Sequence, residues 1–258
     1  MSPKRALIVV FALLGLASAG AAGASTTTPP RAQLRNFSCR RALDPPTRAV
    51  TVTAVMRPIA GTQKMQIRFQ LLRRLSHHRR FAYVHAGDLG KWISPKDLTL
   101  GQRPSDVWNL IKQVADLAAP AWYRFRVAFR WLDTRGQRLD DASLESRTCY
   151  QPELRPDLVV RSITVRPVTG RPTEDAYTAL IENVGASGTV SFQAELTDAA
   201  AVQTTMIRRL APHTSVWVRF VGAACTQANA PTVTVDPGRR VDDANRGNNS
   251  LTATCPGS

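Results

Sequence analysis

Hydrophobic and polar residues alternate with a period of two along much of the chain. Residues 50–56 read VTVTAVM and residues 65–71 read MQIRFQL, so every second side chain is apolar. The longest example is residues 121–132, AWYRFRVAFRWL, in which one face is aromatic or aliphatic and the other carries arginines. A period of two predicts β-strands with one buried face. Residues 107–117 fit a strand or a helical turn.

Further strands are predicted at residues 81–86, 89–93 and 142–150. From residue 157 onward, Gly, Pro, Asn and Asp separate seven short apolar runs, at residues 158–166, 177–183, 190–197, 203–210, 215–221, 232–236 and 250–254. Seven short strands in about 100 residues are typical of an immunoglobulin-like sandwich. The sequence therefore predicts an all-β protein of two tandem immunoglobulin-like β-sandwiches after a cleaved signal peptide.

The N-terminus has the three-part layout of a secretory signal peptide. Lys4 and Arg5 precede an apolar run at residues 6–16 and small residues that end in Ala24. The run is too short for a membrane anchor, which needs about 20 residues. We expect residues 1–24 to be the signal peptide, 25–33 a flexible lead-in, 34–151 the first sandwich, 152–156 a linker and 157–256 the second sandwich. We therefore expect a secreted, extracellular or cell-wall-associated protein without a membrane span.

Charge divides the chain at the predicted linker. Residues 26–154 contain 22 basic and 10 acidic side chains, whereas residues 155–258 contain 10 basic and 9 acidic ones. The whole chain has a formal net charge of +15. Such asymmetry between halves predicts two units with different surfaces, the first of which suits an acidic partner.

The four cysteines lie near the two ends of each predicted sandwich. They are Cys39 and Cys149 in the first half and Cys225 and Cys255 in the second. In an exported chain, an even number of widely separated cysteines favours disulfides over metal ligation. We expect the pairs Cys39–Cys149 and Cys225–Cys255, both structural.

Residues 114–127 resemble the corner between the fifth and sixth strands of fibronectin type III and related immunoglobulin-like domains. In those domains a leucine precedes, by six residues, a tyrosine whose hydroxyl bonds back to the corner. Leu117 and Tyr123 have that spacing, and Tyr123, Phe125 and Val127 follow the Tyr-x-Phe-x-Val pattern. The early tryptophan that is usual in the family is missing. The resemblance implies a sandwich for the first half.

The second half resembles the bacterial CARDB domain, a cell-adhesion-related immunoglobulin-like module. The matching pieces are PDLVV at residues 156–160, ENVG at 182–185, LAP at 210–212 before VWV at 216–218, and VDP at 235–237 with VD at 241–242 and NN at 248–249. Asp242 stands where the family typically has Glu, and the expected pair Cys225–Cys255 is an addition. The resemblance implies a bacterial, non-catalytic adhesion-type module.

An Asp- and Asn-rich loop near the C-terminus is the richest cluster of oxygen ligands. Its calcium candidates are Asp236, Asp242, Asp243, Asn245 and Asn248, joined by Asn249. Calcium takes six to eight oxygen ligands, but the spacing is not that of a calcium loop. Asp and Asn in tight turns commonly bond their own backbone, so turn structure is the favoured interpretation.

An arginine row is the main candidate for binding. If residues 65–71 and 121–131 form neighbouring strands, Arg68 stands near the arginines of the second strand on the solvent face. A loop after the first strand continues the basic surface. The polyanion-binding candidates are Arg68, Arg73, Arg74, Arg79, Arg80, Arg124, Arg126 and Arg130. The alternative is a solvated face in an arginine-rich composition, since the chain has 29 arginines and 5 lysines.

Catalytic motifs are absent from the sequence. It contains no HExxH, no GxSxG and no phosphate-binding glycine loop, and its adjacent carboxylates would point apart on a strand. We expect no enzyme, no cofactor and no catalytic residue. The predicted function is a binding or adhesion-type module whose partner is an acidic cell-wall polymer or another surface protein, with only non-specific binding of nucleic acid. The alternatives are a structural spacer or protein-contact subunit of an extracellular assembly, and an enzyme whose site assembles from distant residues.

Overall fold

The computed structural model describes residues 29–75, 80–199 and 201–255. The predicted signal peptide (1–24), the start of the lead-in and Arg79 lie outside these residues. The described residues from Arg31 onward belong to one compact unit. Within the described part of that unit the fold is almost wholly β, as the alternating pattern predicted. Among the described residues, no helix has the length and apolar character needed to cross a membrane.

The first half of the described chain contains nine strands and one short 3-10 turn at Pro45–Thr47. The strands are β1 (Ala32–Arg40), β2 (Ala49–Met56), β3 (Lys64–Leu75), β4 (Ala82–Val84), β5 (Trp92–Ile93), β6 (Trp108–Val114), β7 (Ala121–Leu132), β8 (Arg138–Glu145) and β9 (Cys149–Gln151). One sheet has the order β1-β2-β6; the other has the order β4-β3-β7-β8, with β5 on β3 and β9 on β7.

A single apolar core lies between these two sheets. It contains the inward side chains of β2, β3 and β7, including Phe69, Phe125, Phe129 and Trp131. The alternation in residues 121–132 therefore places the aromatic side chains of β7 in the core and its arginines on the opposite face, as predicted. Trp131 is fully buried, and its indole Nε1 donates a hydrogen bond to the Arg57 carbonyl at 2.7 Å.

The second half of the described chain contains seven strands and a 3-10 turn at Arg246–Asn248. The strands are β10 (Leu158–Val168), β11 (Arg171–Asn183), β12 (Phe192–Thr197), β13 (Val202–Ile207), β14 (Thr214–Ala223), β15 (Thr232–Val235) and β16 (Ser250–Thr252). They form two antiparallel sheets, β10-β11-β14 and β13-β12-β15-β16. A separate apolar core between them includes Tyr177, Phe192 and Val233.

Several predicted element bounds were wrong. The run at residues 142–150 is two strands, β8 and β9, because residues 146–148 leave the ladder between them. Strand β1 was missed, and Ala32 and Gln33 belong to it rather than to the lead-in. Polar residues interrupt the apolar positions of β1, so its alternation with a period of two is weak and did not predict a strand. Residues 107–117, which were ambiguous, contain strand β6.

The disulfides join Cys39 to Cys149 and Cys225 to Cys255, the pairing that the sequence favoured. The first links β1 in one sheet to β9 in the other, across the core of the first half. The second ties the loop after β14 to the segment after β16. Each closes a loop within one half of the chain, with sequence separations of 110 and 30 residues.

Candidate functional site

Strands β3 and β7 are hydrogen-bonded neighbours, as the arginine-row hypothesis required. They pair over their whole lengths, from Lys64 opposite Leu132 to Leu75 opposite Ala121. Side chains alternate between the two faces of a strand. The solvent side of this ladder therefore carries the guanidinium groups, and we call it the arginine face. It consists of Arg68, Arg74, Arg124, Arg126 and Arg130.

Two further predicted members of the row, Arg73 and Arg80, lie off this face. Arg73 and Arg74 were expected in a loop, but both belong to β3. Arg73 points to the opposite side from Arg74, since it stands opposite the inward-facing Tyr123 in the ladder. Arg80 is exposed and lies just before β4.

Aromatic rings cover one side of most guanidinium groups on the arginine face. The Cζ atom of Arg124 lies 4.4 Å from the centroid of Phe81, and that of Arg74 lies 4.6 Å from the centroid of Trp122. Trp122 also packs on Tyr150, with a 4.6 Å centroid separation. Attraction between a cation and the face of a ring restrains each guanidinium and leaves its N–H edge available.

Trp92 is shared by two arginines. The Cζ atoms of Arg68 and Arg130 lie 4.6 Å and 4.0 Å from its ring centroid. The strand register explains this arrangement, because Arg68 stands opposite Trp92 on β5 and opposite Ala128 on β7. The Nε atoms of both arginines are buried and have no hydrogen-bond partner among the described residues.

Glu145 on β8 already neutralises part of the face. Its carboxylate accepts hydrogen bonds from Arg126 at 2.9 Å and 3.1 Å and forms an ion pair with Arg124 at 2.8 Å. The hydrogen bonds that Arg126 donates to Glu145 raise the pKa of Arg126. The Tyr83 hydroxyl accepts a further hydrogen bond from Arg126 at 3.0 Å. The carboxylate of Glu145 therefore offsets the repulsion between like charges at one end of the arginine face.

A cleft of about 310 Å³ opens on the arginine face. Arg68, Trp92, Arg126 and Arg130 line it, and Ala128 forms part of the floor between them. The sequence hypothesis missed the aromatic partners and Glu145. The signal available for them was the position of Tyr83 and Trp92 in the short strand candidates after β3.

The corner before β7 has the geometry that the tyrosine spacing predicted. The Tyr123 hydroxyl donates a hydrogen bond to the Ala118 carbonyl at 2.8 Å, and Leu117 is buried in the core. Burial raises the pKa of Tyr123, although the adjacent Arg73 opposes the rise. The wider likeness of the first half to fibronectin type III domains stays a prediction.

The calcium candidates use their side chains within the C-terminal hairpin. Asp236 accepts hydrogen bonds from the backbone N–H groups of Arg240 and Val241 at 2.8 Å and 2.9 Å and from Arg246. Asp243 accepts from the N–H groups of Leu158 and Asn245. Among the described residues, no group of three or more His, Cys, Asp and Glu side chains is placed to hold a metal ion.

The other three calcium candidates contact separate partners and do not converge on a common point. Asn245 accepts a hydrogen bond from the Gly247 N–H and so caps the 3-10 turn. Asn248 donates to Asp157 at 2.9 Å. Asp242 pairs with Arg155 at 3.2 Å. These contacts fit the interpretation of the loop as turn structure that closes the second sandwich.

An ion pair between the buried Arg48 and Glu153 was not predicted from the sequence. Arg48 is almost fully buried and donates to Glu153 at 2.8 Å and to the carbonyls of Ala42 and Leu43 at 2.9 Å. Arg155 donates to the same carboxylate at 3.0 Å. Burial alone would raise the pKa of Glu153, but hydrogen bonds from Arg155 and Arg48 outweigh it and lower the pKa to about 2.

Comparison with known proteins relates the second half to one family. The CARDB family model matches residues 155–253. A solved domain of a Methanosarcina acetivorans protein, described as a cell surface protein, is 36% identical and covers 39% of this chain and 90% of its own, with a TM-score of 0.34. Red sea bream transglutaminase is 11% identical over 88% of this chain and 32% of its own, with a TM-score of 0.29. None of the curated proteins matches the chain.

Proposed function

We propose that this protein, whose C-terminal half carries a CARDB domain, is a non-catalytic module of the cell exterior that binds acidic polymers. The CARDB match and the similarity to a domain of a cell surface protein support a surface module. The two disulfides suit an oxidising, extracellular setting. The second sandwich would then serve as a spacer or contact module for the first.

The observation that carries the binding proposal is the stacking of arginines on aromatic rings along one sheet face. Five such contacts place Arg68, Arg74, Arg124 and Arg130 over rings at 4.0–5.2 Å. A side chain that is already restrained loses less conformational entropy when it binds. The arginine face is therefore preorganised for a partner with repeated negative charges. Arginines that only face solvent would not need aromatic rings to restrain them.

Spacing along β7 also suits a linear partner. Arg124 and Arg126 are two residues apart on one face, which is roughly 7 Å in a strand, and Arg130 continues the line. Each contact with an anionic group releases counterions, so affinity should fall steeply with salt.

Retention on immobilised polyanion across a salt series tests the proposal. We expect the triple variant R124Q/R126Q/R130Q to elute at clearly lower salt than the unchanged protein and to show a shallower dependence of affinity on salt. The matched control is R208Q/R209Q/R219Q in the second half, which removes the same charge from three exposed arginines. Equal losses for both triple variants would mean that net charge alone acts, and no retention at low salt would refute polyanion binding.

A second candidate function is a protein contact through the second sandwich. Trp217 on β14 is 59% exposed, and in the described part of the chain β14 pairs only with β11. Exposed tryptophan beside an open sheet edge is typical of contact surfaces. Under this alternative, W217S should remove cross-linked protein partners in the native host, while the R124Q/R126Q/R130Q variant should keep them.

A further inference from the structure

Strand β14 lies at the edge of its sheet, and part of that edge is unpaired. In the order β10-β11-β14, it pairs with β11 from Thr214 opposite Asn183 to Ala223 opposite Glu174. In an antiparallel ladder, the backbone N–H and C=O groups of successive residues point alternately towards the neighbouring strand and away from it. Every second residue of β14 therefore presents its N–H and C=O groups along the free side of the sheet.

Two contacts show which residues of β14 point away from β11. The Ala223 N–H donates a hydrogen bond to the Asp198 carboxylate at 3.1 Å, and the Val221 carbonyl accepts one from the Gln203 side chain. The register between β11 and β14 contains no bulge, so three residues earlier in β14 have the same orientation. They are Ser215, Trp217 and Arg219, which we call the open edge. Among the described residues, the outward backbone groups of the open edge have no hydrogen-bond partner.

An exposed tryptophan lies at the centre of the open edge. All three side chains of the open edge are exposed, and that of Trp217 is 59% exposed. Tryptophan is among the residues most enriched at the energetic centres of protein interfaces. Strand β13 also pairs with one described strand only, β12, but its sequence VQTTMI has no aromatic side chain. The open edge of β14 is therefore the stronger candidate for pairing with another strand.

A second copy of this chain fits the open edge without opposing charges. About a two-fold axis through Trp217, antiparallel pairing places this residue opposite Trp217 of the second copy and Ser215 opposite Arg219 of the second copy. Every residue in these pairs points outward, so each pair can exchange both of its backbone hydrogen bonds. The two tryptophan rings become cross-strand neighbours on one face of the joined sheet.

The distribution of charge favours the second half as the surface where two copies meet. Residues 155–258 contain 10 basic and 9 acidic side chains, whereas residues 26–154 contain 22 basic and 10 acidic ones. Surfaces with a large net charge of one sign repel each other, and nearly neutral surfaces do not. Contact through β14 therefore brings together the part of the chain with the weaker repulsion.

We propose that the open edge of β14 pairs with the open edge of a second copy, which joins two β10-β11-β14 sheets into one continuous antiparallel sheet. The proposal rests on the second candidate function above, a protein contact through the second sandwich, and names its partner. Asp198 and Gln203 cap the end of β14 and so limit the pairing to a short segment. A short interface of this kind forms a reversible dimer.

Sedimentation equilibrium of the purified protein over a range of concentrations tests the pairing and its register. We expect a monomer–dimer equilibrium that the charge at residue 215 controls, because this residue meets Arg219 of the second copy twice in each dimer. S215R places like charges in both pairs and should weaken the dimer about fivefold, whereas S215E should strengthen it about fivefold. The double variant S215R/R219E restores opposite charges and should dimerise at least as tightly as the unchanged protein.

Control variants separate this register from a general effect of charge. T204R and T204E make the same changes at an exposed residue of β13 and should leave the dimer unchanged. W217S should weaken the dimer about tenfold or more. Hydrogen exchange gives a readout independent of these variants, because the amides of the open edge should exchange more slowly as the protein concentration rises.

The possible outcomes distinguish this proposal from both candidate functions. A protein that stays monomeric at every concentration refutes the self-pairing; loss of host cross-links in W217S would then show that a strand of another protein occupies the edge. A dimer that T204R weakens as much as S215R does overturns the choice of β14. Added salt should not dissociate the dimer, whereas it weakens polyanion binding, so the two results are independent.

Discussion

Asn183 uses all the hydrogen-bonding groups of its amide inside the second sandwich. Its Oδ1 accepts from the N–H groups of Asp157 and Gly185 at 3.1 Å, and its Nδ2 donates to the carbonyls of Ser187, Leu210 and Ala211. Three loops are thus joined at one fully buried side chain. The ENVG motif therefore has a structural role, because the asparagine supplies both acceptors and donors at a crowded point.

Gly185 lies so close to the backbone of residues 155–157 that no side chain fits. A Cβ atom at this position would be 2.4 Å from the Arg155 carbonyl oxygen and the Asp157 nitrogen. We expect G185A to lower the free energy of unfolding by about 3 kcal/mol, because backbone must move to relieve the overlap. Urea titration measures this change. G238A is the matched control, since its Cβ would meet nothing closer than 4.0 Å; equal losses would contradict the prediction.

Tyr123 holds the corner before β7 through its hydroxyl. Y123F keeps the ring in the core but removes the hydrogen bond to the Ala118 carbonyl. We expect a loss of about 1–2 kcal/mol, because a polar group in a buried setting loses its partner. Thermal unfolding provides the measurement. Y83F, at a side chain that is 46% exposed, should change stability by less than about 0.5 kcal/mol.

At the scale of elements, the C-terminal hairpin is held by the loop that joins β15 to β16. Asp236 has a positive φ of 49° and a buried carboxylate that receives two backbone N–H groups. Asp and Asn tolerate this backbone conformation better than most residues. The Asp236-Pro237 turn, the loop after it and β16 therefore form one structural unit, which we call the latch. Its oxygen-bearing side chains hold the hairpin closed rather than serve as metal ligands.

Replacing Asp236 tests the latch. D236N preserves the backbone preference but weakens the acceptors for Arg240, Val241 and Arg246, so we expect a loss of about 2 kcal/mol. D242N, at a side chain that is 70% exposed, should cost less than about 0.5 kcal/mol. Chemical denaturation of both variants gives the comparison. A D242N variant as unstable as D236N would show that charge, and not the latch, controls the hairpin.

For the whole molecule, an ionic contact that depends on pH joins Arg48, Glu153 and Arg155. Glu153 accepts hydrogen bonds from Arg48 and from Arg155, and Arg155 also pairs with Asp242. These contacts lower the pKa of Glu153 from 4.5 to about 2. A lowered pKa stabilises the fold above the unfolded-state value, and this stabilisation is lost as pH falls from about 4.5 towards 2.

The variant E153Q should separate this effect from general acid sensitivity. At pH 6 we expect E153Q to be less stable than the unchanged protein by about 1–2 kcal/mol, a value reduced by the partial exposure of the carboxylate. The difference should shrink as pH falls towards 2, because the carboxylate becomes protonated in the unfolded state below about pH 4.5 and then increasingly in the folded state. Calorimetry at pH 6 and pH 2.5 measures it. A difference that stays constant across this range would contradict the ionic origin.

The sequence alone determined the elements that depend on local pattern. A period of two predicted β3 and β7 and their buried faces, the cysteine distribution predicted the pairing of the disulfides, and the ordered motifs of the second half predicted its CARDB match. These features follow from side-chain alternation and spacing, which a one-dimensional pattern records directly.

Only the tertiary structure decided which distant residues meet. Trp92 comes to lie against Arg68 and Arg130 because β5 and β7 both pair with β3. Glu145 reaches Arg124 and Arg126 because β8 lies beside β7. The buried Arg48 contacts Glu153, which follows it in the sequence by 105 residues. Such contacts depend on strand order and register, which local alternation does not specify. The arginine row was therefore visible in the sequence, but its aromatic support, its partial neutralisation and its cleft were not.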